Sequence, residues 1–111
     1  MAQNRVTRGT AAVGALAVGT GSTVKGITYG SASLDPTSIN GNSTGTVTTT
    51  VTGAATGDIV IVNPPSLTTG LAFAGAAVTS ADTVTIYLVN ATGSPINQTA
   101  ATFTWAWFDL T

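Results

Sequence analysis

The chain has 111 residues, of which only 6% are charged, and a formal net charge of −1. It holds no histidine, cysteine or glutamate, which excludes a disulfide scaffold, thiolate metal sites and any nucleophilic triad that hands its proton to an imidazole. No apolar run approaches the roughly 20 residues of a membrane-spanning helix, and a net charge near zero with abundant β-branched residues argues against disorder.

Met1 to Gly21 is the least regular stretch. Arg5 and Arg8 followed by AAVGALAV (Ala11–Val18) resemble the first parts of a secretory signal, but the apolar run is short and broken by glycine. The other readings are a docking arm or an ordinary first strand. All three basic side chains (Arg5, Arg8, Lys25) lie at or before residue 25, and all four acidic ones (Asp35, Asp58, Asp82, Asp109) lie after it. A basic arm of this kind is expected to lie on an acidic surface of a neighbour.

Thr23–Tyr29 (TVKGITY) is the first predicted strand. In Ser31–Ile39 (SASLDPTSI), Leu34 and Ile39 are expected inside, with a bend at Asp35-Pro36. Asn40-Gly41-Asn42 is a turn. In Thr46–Thr52, Val47, Thr49 and Val51 share one face, and Thr46, Thr48, Thr50 and Thr52 form a wet one. After a turn over Gly53–Asp58, Ile59–Val62 (IVIV) is apolar on both faces and is expected to be a central, fully covered strand. Pro64-Pro65 ends it, since neither residue has an N–H to donate.

Leu71–Thr79 (LAFAGAAVT) is the next predicted strand, with a bulge expected at Gly75. Thr83–Val89 alternates most cleanly, with Val84, Ile86 and Leu88 inward and Thr83, Thr85 and Tyr87 outward. A loop with Gly93 and Pro95 leads to the last strand, Thr102–Leu110 (TFTWAWFDL), which holds both tryptophans. One of its faces carries Phe103, Trp105 and Trp107, and the other carries Ala106, Phe108 and Leu110. Both are greasy, so one is expected against the core and the other against further chain or a neighbouring molecule. Short strands separated by turn signals every 8–12 residues, with no helical period, predict an all-β fold. The expected form is an antiparallel, jelly-roll-like β-sandwich over residues 30–111, preceded by an extended N-terminal arm or first strand over 1–29.

Little in the chain carries chemistry. Lys25, the one lysine, sits in no Ser-Lys motif. The four aspartates are widely spaced in sequence. Asp58 and Asp82 each precede a strand, where turn bonding is the expected role, although a folded pair of carboxylates would suit glycoside hydrolysis. No calcium-loop or phosphate-loop signature is present. Three basic residues make a poor nucleic-acid surface. The sequons at Asn42, Asn90 and Asn97 are expected by chance in so Thr-rich a chain. No enzyme, no cofactor and no nucleic-acid or membrane partner is expected.

From residue 30 onward four stretches follow one another in a recognisable order: SASLDPTSI; NSTGTVTTTVTGAATGDIVIVNPP; LAFAGAAVTSADTVTIYLVNATGSPI; and the aromatic end. This order resembles a small β-sandwich module that recurs in structural proteins of tailed bacteriophages, as capsid decoration (cement) proteins and as a terminal module of fibres. The matching marks are Leu34 to Ile39, Gly57-Asp58, Asn63-Pro64-Pro65 and Ala81-Asp82-Thr83-Val84.

The resemblance implies a homotrimer that bridges major capsid subunits on the outer surface of the phage head, made in the host cytoplasm. No heptads or collagen-like repeats are present to build a fibre shaft. On this view Phe103, Trp105, Trp107 and Phe108 are candidates for the trimer interface, and Arg5, Arg8 and Lys25 for an arm that contacts the capsid. The alternatives are a tail-fibre or spike tip that binds host glycan or receptor, and a carbohydrate-binding module stacking sugar on Trp107.

Overall fold

In a computed structural model, residue 21 and residues 23–111 are described, and they form six strands and no helix. The strands are β1 (Gly26–Leu34), β2 (Ser43–Thr50), β3 (Ile59–Asn63), β4 (Leu71–Ser80), β5 (Thr83–Asn90) and β6 (Ala101–Asp109). They build two three-stranded antiparallel sheets, ordered β1-β6-β3 and β2-β5-β4. The architecture is a β-sandwich, as the alternation and turn spacing predict. β1 lies beside β2 and β3 beside β4, so the aromatic strand β6 and the aliphatic strand β5 are the two central strands.

The core follows from period-two alternation. Val84, Ile86 and Leu88 of β5 are wholly buried and face Phe103, Trp105 and Trp107 of β6 in one apolar cluster. Val47, Val62, Phe73, Ala76 and Val78 fill in around them. Two glycines make room for large neighbours. A Cβ on Gly30 would stand 3.0 Å from the Trp105 ring, which lies against β1, and a Cβ on Gly45 would stand 2.5 Å from Ile39. The expected bulge at Gly75 is present as a register shift between Phe73 and Gly75, with Gly75 at a φ of 149°.

Three expectations change. β1 begins at Gly26 and runs through Gly30 to Leu34, paired with β6 along its whole length, so it crosses the expected boundary at residue 30 and belongs to the sandwich. The segment from Ile59 is an edge strand, not a central one, because among the described residues β6 is its one sheet neighbour. Its Val60 and Val62 point into the core, while Ile59 and Ile61 are 50% and 59% exposed. Thr85 does sit on the outward face of β5, but it is buried there, its hydroxyl 2.7 Å from that of Thr79.

Candidate functional site

The outward face of the β1-β6-β3 sheet can be read off its register. Ile27, Phe108 and Ile59 form one row across the three strands. Tyr29, Ala106 and Ile61 form the next, and Ser31, Thr104 and Asn63 the third. The first two rows are apolar and open to solvent: Tyr29 is 77% exposed and Ile27 54%, with the two isoleucines of β3 beside them. Phe108 is half-buried between the isoleucines of its own row.

The face carries no charged side chain at its outward strand positions; Lys25 stands just beyond its end. Small Ala106, between Tyr29 and Ile61, leaves an open depression of about 220 Å³, walled almost wholly by carbon. Contiguous apolar patches on monomers rarely exceed a few hundred Å², and larger ones mark sites of interaction.

The sequence candidates divide between the inside and the outside of the sandwich. Phe103, Trp105 and Trp107 are covered by the second sheet of the same chain, whereas Phe108 lies on the open face. Sequence reasoning placed the sticky surface on β6 and missed Ile27, Tyr29, Ile59 and Ile61, which β1 and β3 bring to either side of Phe108. The available signal was the doubly apolar IVIV run. Arg5 and Arg8 lie outside the described residues. Lys25 is exposed; its ammonium donates to the carbonyl of Thr111 and its backbone N–H to that of Asp109.

The two turn aspartates grip one loop. Asp58 accepts from the Trp107 indole (3.0 Å) and the Ala55 N–H (3.1 Å) through one oxygen. Its other oxygen accepts from the Leu110 N–H (2.9 Å) and the Thr111 hydroxyl (3.2 Å). Asp82 accepts from the Gly53 N–H at 2.7 Å. Burial raises the pKa of Asp58, but the bonds from Trp107, Leu110, Ala55 and Thr111 outweigh it and leave the value at about 2. The carboxylate is therefore ionised and spoken for, holding the loop and the chain end onto β6.

A second polar node escaped the sequence reading. Asn90 is wholly buried and makes four hydrogen bonds. Its amide nitrogen donates to the carbonyls of Ile39 (2.9 Å) and Ser94 (2.8 Å). Its oxygen accepts from the N–H (2.9 Å) and hydroxyl (2.7 Å) of Thr92. The sequon at Asn90 is thus a structural pin.

Among the described residues no group of three or more His, Cys, Asp or Glu side chains is placed to hold a metal ion, and no helix is long and apolar enough to cross a membrane. No protein-family model matches the chain, and neither a curated protein nor a solved structure is significantly similar to it.

Proposed function

We infer that this chain is a structural virion protein, a capsid decoration protein of a tailed bacteriophage that associates with itself as a homotrimer and bridges major capsid subunits on the outside of the head. The observation that carries the reading is the open apolar face of the β1-β6-β3 sheet, with Ile27, Tyr29, Ile59 and Ile61 half or more exposed. Leaving an aliphatic side chain of this size in water forgoes roughly 1.5–3 kcal/mol that burial would supply. The low charge fits the same reading, since copies that hardly repel one another associate readily.

Bridging gains strength from number. A single grip on the shell is modest, but a trimer engages several sites at once, which raises its hold by roughly 10²–10⁴ over one contact. A grip made through Thr, Asn and apolar side chains is only mildly sensitive to salt. The test is co-sedimentation of the purified protein with empty phage heads. Saturable binding that survives added salt supports the reading, and protein that stays in the supernatant overturns it. Removal of Met1–Gly21 is expected to weaken binding while the sandwich stays folded; unchanged occupancy would remove the arm from the account.

A second reading, a fibre or spike tip that binds host glycan, is favoured by one feature: the exposed Tyr29 ring stands beside the depression flanked by Asn63 and Thr104. Trp107 does not serve this reading, being buried and bonded to Asp58. Glycan binding abolished by Tyr29→Ala, together with location at the tail by electron microscopy, would replace the capsid reading.

A further inference from the structure

We propose that the occupant of the open face is a second copy of this chain, packed about a symmetry axis parallel to β6 so that Tyr29 of one copy meets Ile61 of the next. The proposal rests on the self-association in the reading above and specifies its contact. The first ground is shape. Tyr29 is the most prominent projection of the face, 77% exposed, and it stands beside a depression whose floor is Ala106. A face with both a knob and a hole can be its own complement.

The second ground is charge. Among the described residues the outward strand positions of the face are uncharged, which offers little to steer an oppositely charged partner and little to repel its own copy. The third is area. Four apolar side chains, each half or more exposed, fall short by themselves of the roughly 800 Å² per partner of a standard interface. The Ser31-Thr104-Asn63 row and the half-open Phe108 adjoin them and extend the contact toward that size.

The register fixes which residues meet. β1 and β3 flank β6, and both Tyr29 and Ile61 pair with Ala106. Turning the sheet about an axis along β6 brings the β1 side of one copy to the β3 side of the next, whether the axis is twofold or threefold. An axis across the strands would instead set Tyr29 against Tyr29.

The chain has no cysteine, so disulfide trapping reads this directly. Within one chain Tyr29 and Ile61 are two strand spacings apart, about 9.5 Å, beyond the roughly 7 Å that a disulfide can bridge. Any bond in the double variant Tyr29→Cys/Ile61→Cys must therefore join two copies. Both positions are exposed, and circular dichroism with tryptophan fluorescence checks that each variant folds. On mild oxidation the double variant is expected to run as a reducible oligomer on a denaturing gel. The two single variants stay monomeric alone and form a heterodimer when mixed.

A covalent trimer supports both this contact and the proposed function. A covalent dimer supports the contact and overturns the threefold assembly. A folded double variant that remains monomeric, or a Tyr29→Cys variant that links efficiently to itself, overturns the contact. Co-sedimentation of the reduced protein with empty heads tests the capsid reading independently. A face that becomes protected from thiol labelling only on the heads would assign it to the shell and likewise overturn the proposal.

Discussion

The indole nitrogen of Trp107 stands 3.0 Å from the carboxylate of Asp58, joining the central aromatic strand to the turn that precedes edge strand β3. The same carboxylate holds the backbone of Ala55 and Leu110. One residue therefore fastens a loop, the inner face of β6 and the chain end together.

That arrangement predicts an acid-sensitive sandwich. The pKa of Asp58 falls from 3.8 to about 2 on folding, so its stabilising effect is complete above the unfolded value and is lost as pH falls from about 4 toward 2. Thermal unfolding followed by tryptophan fluorescence across that range is expected to show a falling Tm. Asp58→Asn lowers Tm at pH 7, and its deficit relative to the parent narrows toward pH 2. A constant deficit across the range would contradict this.

Asn90 predicts a sharp chemical discrimination. Replacing it with Ala removes four hydrogen bonds: the Ile39 carbonyl keeps the Ile96 N–H and the Ser94 carbonyl keeps the Thr92 hydroxyl, but the Thr92 N–H loses its partner, at a cost of about 1–3 kcal/mol. Asn90→Asp keeps the size but sets carboxylate oxygens against the two carbonyls that the amide now serves. It should therefore be at least as damaging at neutral pH and partly relieved in acid. Urea midpoints for the two variants, measured at pH 7 and pH 4, decide the matter.

Gly45 and Ile39 predict a coupled pair. A Cβ on Gly45 would stand 2.5 Å from the Ile39 side chain, and overpacking of this kind costs about 1–3 kcal/mol. Ile39→Ala alone opens a cavity, at about 2–5 kcal/mol. In the double variant the new methyl enters the vacated space, so the summed loss should exceed the measured one. Strict additivity in denaturant unfolding would argue that Gly45 is not there to admit Ile39.

The inner and outer faces of one sheet should respond differently. Trp105→Ala removes a buried ring and is expected to cost about 3–5 kcal/mol. Ile61→Thr, next to the same strand but on the open face, should stay within about 0.5 kcal/mol at concentrations too low for association while reducing oligomer at higher ones. Denaturant titration at two protein concentrations separates the effects.

Most of the sandwich was legible because its strands obey period two. Val47, Val51, Val84, Ile86 and Leu88 announce the buried faces of their strands, and the turns at Gly53–Asp58 and Ser80–Asp82 carry residues that tolerate positive φ, as Gly53, Gly57 and Asp82 show. The predicted first strand ends at Tyr29, whereas β1 continues through Gly30 to Leu34, and Gly30 is room for Trp105, on another strand. The doubly apolar IVIV segment reads as central because alternation reports that two faces want cover without saying what supplies it. Its outward isoleucines border the open face. Asn90 was invisible for a related reason: its partner Ile39 lies 51 residues away, and nothing local distinguishes a pinning asparagine from a loop one.

We propose that the outward side of the β1-β6-β3 sheet is completed by other molecules, first by copies of the same chain. Sedimentation equilibrium of the purified protein, alone and with empty phage heads, tests it most directly, with Ile61→Asp alongside. The parent chain is expected to sediment as a trimer that transfers to the heads, and the variant as a folded monomer. A parent chain that sediments as a monomer at every concentration and ignores the heads would contradict it.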